Sequence, residues 1–162
     1  MLTADIRELL NHDPGVLFIT IGNSMRSDDG VGVYIGDRVI GRPGYQVLNA
    51  YDKPENIIDE AVSFKPKRTV IIDAADFRGE PGEARVIDEE LIPKTALTTH
   101  AFPVPVLARM LAKDTGCEVI FIGIQAKSVE LGEGLSAEVK KTADAIIDIL
   151  RMNSRIEGGS NA

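Results

Sequence analysis

Val16-Leu17-Phe18-Ile19-Thr20-Ile21-Gly22-Asn23-Ser24-Met25-Arg26-Ser27-Asp28-Asp29-Gly30-Val31-Gly32 carries an apolar run through a glycine-rich turn into a helical-looking segment that reaches Ile40. A short apolar run bounded by turn residues reads as a buried strand. Strand, Gly-rich turn and helix, in that order, make the unit with which α/β folds position their chemistry. Such turns commonly hold phosphate, because free backbone N–H groups and the helix dipole favour an anion there. Here Asp28 and Asp29 already place two negative charges at that point. They repel phosphate and attract a cation, so the turn reads as a metal or catalytic-carboxylate site. A nucleotide-binding α/β domain is a rival reading, but the turn contains no Gly-x-Gly-x-x-Gly fingerprint.

The alternation continues outward from this unit. A short helix is expected over residues 3–11, with Thr3 as its N-cap, and Pro14-Gly15 stops it. A second strand is expected over residues 45–48, a helix over 54–64, and a third strand over 68–72. Residues 83–87, after the turn cluster Arg78-Gly79-Glu80-Pro81-Gly82, read as an antiparallel strand returning beside its predecessor. A loop with one helical turn spans 88–96, and a helix starts at Pro103 or Pro105 and ends at Gly116. A further strand covers 118–123. The last helix begins at Ser136 with Val139, Ala143, Ile146, Ile147 and Leu150 inward. The pattern predicts a three-layer αβα sandwich around a mostly parallel five-stranded sheet with one antiparallel strand. A single domain over residues 1–152 is expected, with a flexible polar tail over 153–162.

Composition limits the partners. The chain has 162 residues, 44% of them hydrophobic, which is enough for one well-buried core. Its net charge of −7 argues against a phosphate backbone or an anionic membrane as partner. One cysteine, Cys117, rules out an internal disulfide and any multi-thiolate zinc site. The first residues lack the basic and apolar regions of a signal peptide, and no apolar run approaches the roughly 20 residues of a membrane span. A soluble, cytoplasmic monomer is the expectation.

Two later features join the acidic turn. Asp73 follows Thr69-Val70-Ile71-Ile72, and His100 lies in Thr98-Thr99-His100-Ala101-Phe102-Pro103. In a parallel sheet the carboxyl ends of neighbouring strands lie side by side, so Asp29, Asp73 and His100 are expected to converge in one exposed cleft above the first and third strands. Two carboxylates and one imidazole suit a borderline divalent cation such as nickel or zinc.

With these residues in place, the chain resembles the hydrogenase maturation endopeptidases, which trim the C-terminus of the NiFe-hydrogenase large-subunit precursor. The resemblance runs from about Val16 to Leu150. It rests on Gly22-Asn23-Ser24 with Asp28-Asp29-Gly30-Val31-Gly32, on Ile71-Ile72-Asp73-Ala74, and on Thr98-Thr99-His100. A last block, Phe121-Ile122-Gly123-Ile124-Gln125 followed by Gly132-Glu133-Gly134-Leu135-Ser136, is also similar to the family. The branch it most resembles serves formate-hydrogenlyase-type hydrogenases. The resemblance implies that Asp29, Asp73 and His100 are the catalytic and metal-contacting positions, and that the metal is nickel carried by the precursor. A different divalent metal is the alternative for the isolated protein. Ala126 is a departure, since Pro commonly follows the Gln. A non-cleaving, metal-binding assembly factor for the same large subunit is the alternative function.

Other polar residues have plainer readings beside functional ones. Asp28 is either a helix-terminal acid or a support for the site. Asp76 reads as a turn residue ahead of Gly79 rather than a further ligand. Asn23 and Gln125 are candidates to present amides to a peptide or to satisfy local backbone, and Arg26 to meet an acidic or C-terminal group. Ser24 lacks the Gly-x-Ser-x-Gly context of a nucleophile elbow. Cys117 and His12 read as structural and solvent-exposed, respectively.

Overall fold

The computed structural model describes residues 2–11, 13–41, 46–95, 97 and 102–160. Five strands form one sheet in the order β2-β1-β3-β5-β4. They are β1 (Val16–Ile21), β2 (Gln46–Tyr51), β3 (Arg68–Ala75), β4 (Ala84–Ile87) and β5 (Glu118–Gln125). Four run parallel and β4 runs antiparallel to β5 at the edge. All six residues of β1 are buried, as are seven of the eight in β3. Strands covered on both faces must be apolar throughout, which is why both read as continuous runs rather than alternating ones.

The helices are α1 (Ala4–Leu9), α2 (Val31–Val39), α3 (Ile58–Phe64), α4 (Ile92–Thr95), α5 (Val104–Thr115) and α6 (Ala137–Ser160). Ile6 of α1, Val31, Ile35 and Val39 of α2, and Val139, Ala143 and Ile146 of α6 cover one face of the sheet, against Phe18, Val70 and Ile72. Ala61 of α3 and Val104, Leu107 and Leu111 of α5 cover the other, against Leu17, Ile19 and Ile71. The expected three-layer αβα sandwich is therefore the observed one. Among the described residues no helix is long and apolar enough to cross a membrane.

The winding places the site. From β1 the chain passes through α2 on one face to β2. It then returns through α3 on the opposite face to β3, on the far side of β1. The strand order therefore reverses between β1 and β3, and a crevice opens at their carboxyl ends, the usual ligand position in open α/β sheets.

Several sequence expectations need correction. Residues 84–87 pair with β5, not with the preceding strand β3, because β5 is inserted between them. β3 and β5 run further than their apolar stretches suggest, pairing as far as Ala75↔Gln125. Asp73 thus lies inside a strand rather than after one. Residues 27–30 and 54–57 form 3-10 turns leading into α2 and α3. The Thr3 hydroxyl bonds the Asp5 carboxylate instead of capping the backbone of α1. The last helix continues to Ser160, through most of the segment expected as a polar tail.

The helix layer over β1 and β3 is tied by polar contacts as well as apolar ones. Tyr34 of α2 donates to Asp144 of α6 at 2.6 Å, and Lys140 pairs with the same carboxylate at 2.9 Å. The Tyr34 hydroxyl first, and Lys140 second, hold Asp144 below the usual carboxylate range.

Candidate active site

Asp29 lies in the 3-10 turn Ser27–Gly30 that joins β1 to α2. The turn folds back on the end of β1: Asn23 N–H donates to the Asp29 carbonyl at 3.0 Å. A Cβ added at Gly22 would stand 2.4 Å from that carbonyl oxygen, so only glycine admits the approach. The same turn packs against β3. Thr20 of β1 is level with Ile72 of β3, which puts Asp73 beside Ile21, one residue before Gly22. The Asp29 turn and Asp73 therefore both lie at the switch point between β1 and β3. Odd-numbered β3 residues such as Ile71 and Ala75 face the α3/α5 layer. Strand alternation turns Asp73 the same way.

Burial is the surprise. Asp29 and Asp73 are both 0% exposed, where an exposed cleft was expected. The Ala74 N–H donates to Asp73 Oδ1 at 2.8 Å, and both aspartates take part in further interactions. Carboxylates removed from water need polar or charged partners to offset the loss of hydration. His100, the third expected member, lies outside the described residues, as do Thr98, Thr99, Ala101 and His12. Among the described residues no group of three His, Cys, Asp or Glu side chains forms a metal site.

Asp28, the neighbour of Asp29, has a different task. Its Oδ2 accepts from Lys127 N (2.9 Å), Ser128 N (3.2 Å) and Ser136 Oγ (2.9 Å), and its Oδ1 accepts from Ser136 N (2.7 Å). Ser136 immediately precedes α6, so the buried carboxylate sits at that helix's positive end and not at the start of its own helix. It clamps the β5–α6 loop onto the Asp29 turn across about a hundred residues of sequence. Backbone bonds extend the clamp: Ser27 N to Gly132 O at 2.8 Å, Asp28 N to Ser128 O at 3.0 Å, and Gly132 N to Met25 O at 2.9 Å. Replacing Asp28 with Ala leaves four donors without their acceptor. The expected cost is about 3 kcal/mol of stability, read by denaturant unfolding, together with loss of activity.

Gln125 and Asp76 are also structural. Gln125 Oε1 accepts from Phe77 N (2.9 Å) and Gly79 N (3.1 Å), while Nε2 donates to Asp76 Oδ1 (3.2 Å) and Ala126 O (3.1 Å). Both donors and the acceptor of its amide are engaged, by the β3–β4 turn and by Ala126 O just after β5, so it does not present an amide to a peptide. Asp76 takes the turn role, accepting from Arg78 N at 3.1 Å. Asn23 Oδ1 accepts from Met25 N at 3.0 Å, closing a local turn. Cys117 Sγ lies 2.9 Å from Thr115 Oγ1, away from the acid pair at the opposite end of β5. A cavity of about 670 Å³ also lies at that amino end, lined by Arg68, Cys117 and Glu118. It is larger than the space around the Asp29 turn, yet it holds none of the switch-point chemistry.

Residues 38–152 match the family model described as hydrogenase maturation protease, which includes Asp73 and His100 and begins beyond Asp29. The chain is 32% identical over 133 residues to the hydrogenase 3 maturation protease of Escherichia coli K12, covering 80% of this chain and 85% of that protein. A crystal structure of the NiFe hydrogenase maturation protease HycI from Thermococcus kodakarensis KOD1 superposes with a TM-score of 0.76. That match has 29% identity and covers 91% of this chain and 99% of the other. The solution structure of the endopeptidase HycI from Escherichia coli gives a TM-score of 0.73 at 32% identity, over 82% and 86% of the two chains.

Proposed function

The chain belongs to the hydrogenase maturation protease family and is a peptide hydrolase, and from that premise we propose that it removes the C-terminal extension of a nickel-loaded NiFe-hydrogenase large-subunit precursor. What supports the site assignment is that the Asp29 turn packs against β3, the strand that carries Asp73, at the β1/β3 switch point. In this reading His100, which lies outside the described residues, completes the set, as the family resemblance implies.

In this reading the nickel arrives with the substrate. Asp29, Asp73 and His100 contact it and hold the scissile bond in place. Three protein ligands are fewer than the four of a closed structural site, so groups already on the precursor's metal complete the coordination. Burial of the two carboxylates adds a requirement: chain covering them must shift before the precursor's metal can touch them. A metal that forces this shift makes nickel loading a checkpoint ahead of an irreversible cut. Hydrolysis then needs a water and a proton acceptor, and Asp29 is the first choice as general base. The cytoplasm is the proposed site of action, with the protein a monomer that engages no membrane and no nucleic acid.

A non-cleaving assembly factor would bind the loaded precursor and leave its mass unchanged. Incubating the purified protein with nickel-loaded precursor and measuring the precursor's mass decides between them. Loss of one discrete C-terminal peptide is the expected result, and an intact precursor in stable complex with the protein would overturn the proposal.

A further inference from the structure

Two of the most exposed large apolar side chains in the molecule are Met25 and Leu131, at 66% and 78% exposure. They are 106 positions apart in sequence, yet their backbones adjoin, since Gly132 N donates to Met25 O and Arg26 bridges Gly132. Both belong to the loops that frame the Asp29 turn at the carboxyl end of the sheet. These loops are held firmly. Besides the Asp28 clamp, Ser27 Oγ donates to Glu130 O at 2.7 Å. Apolar side chains displayed in water on a fixed backbone add nothing to folding stability. Two of them side by side on an ordered backbone can grip a partner with little ordering entropy left to lose on binding.

A cavity of about 440 Å³ lies beside them, lined by Ser24, Ser27 and Gly30 of the same turn and by Val33 and Leu135. Its cationic wall is already committed: Arg38 lies 3.5 Å from the centre of the Tyr34 ring, and Lys140 pairs with Asp144. Its carboxylate, Asp37, is likewise engaged by Asn49 and Tyr51, which leaves Val33 and Leu135 as the apolar part of the lining beside the two serines. Resting on the proposed function above, we propose that Met25 and Leu131 form an apolar clamp that seats an apolar segment of the precursor flanking the scissile bond. The clamp is continuous with the turn that carries Asp29, so gripping the substrate and aligning it with the acid pair happen on one rigid platform. A polar or charged extension would lose this grip, which makes the clamp a specificity element distinct from metal recognition.

The test compares wild-type protein with the Met25→Ser/Leu131→Ser double variant on nickel-loaded precursor. KM, kcat and the dissociation constant of the precursor are measured. Met152→Ser, another exposed apolar position lying on α6, serves as the control. The double variant should raise KM and the dissociation constant by about tenfold or more with kcat retained, following the loss typical of central interface anchors. Its thermal melt should match wild type, and Met25→Leu/Leu131→Met should restore affinity. If wild type cleaves and the double variant keeps wild-type KM and affinity, the clamp is refuted while the protease reading stands. Loss of wild-type self-association in the double variant, with KM kept, also refutes it by assigning the face to a second copy of this chain. If wild type fails to cleave, the protease reading is what fails. The dissociation constants then still decide the clamp.

Discussion

Asn in place of Asp29 is expected to lower processing of nickel-loaded precursor by about 10²–10⁴-fold, the range for removal of a general base. Asn keeps the shape of the side chain and one oxygen acceptor, so the buried turn should stay closed. That matters because Asp29 is fully buried. An Ala variant would open a hole in the turn and strip a polar group from its partners, so lost activity and lost structure would coincide. Asp73→Asn should behave alike, since Oδ1 can still accept the Ala74 N–H. Single-turnover cleavage alongside a thermal melt checks both. Wild-type rates in both variants would remove the acid pair from the reaction.

Ala in place of Gly32 should cost about 3 kcal/mol or more, through packing alone. A Cβ there would stand 2.0 Å from the Ile21 carbonyl oxygen and 2.8 Å from the Ile21 carbonyl carbon and nitrogen. Every one of these is backbone, so no flexible side chain can yield. The opposing effect is helix propensity, which favours Ala over Gly by about 1 kcal/mol within α2. Relief of a contact that short requires α2 to lift from β1, and the packing cost wins. For a chain of this length the melting temperature should fall by about 10 °C. Activity should fall too, because α2 carries the Asp29 turn at its start. An unchanged melt would mean that α2 is not seated on β1 as closely as described.

How much of this was legible in the sequence follows from what each feature depends on. β1 was read with its observed bounds because both ends are marked locally, by Pro14-Gly15 and by Gly22. β3 and β5 were read short because an apolar run ends at Asp73 in one and meets Gly123 in the other. The ladder between them continues regardless, through Asp73↔Gly123 and on to Ala75↔Gln125. Only neighbouring strands, absent from a local reading, extend a strand past a carboxylate. The partner of β4 is hidden from a local reading for the same reason, since β5 enters the sheet only later in the chain.

The candidate acids are marked in the sequence, and their setting is not. The turn after β1 marks Asp29, and an acid closing an apolar run marks Asp73. Nothing local marks Asp28 as the anchor of a loop that begins about a hundred residues later. In hindsight, the glycines at 132 and 134 and the Ser136 helix start are its one trace, and they carry no address. Gln125 was open to a role on substrate until four hydrogen bonds accounted for it. Burial of the acid pair was not legible at all, because it depends on which chain folds over the switch point.

Under the proposed function, nickel carried by the precursor, and not metal taken up by the protease, licenses the cut. The direct measurement is the C-terminal mass of precursor after incubation, with nickel-loaded and metal-free forms run in parallel. The protease is used untreated and after pre-incubation with nickel or zinc. Loaded precursor should lose its extension with untreated protease, and metal-free precursor should stay intact under every treatment. Efficient cleavage of metal-free precursor by metal-treated protease would contradict it and reveal a self-contained metalloprotease.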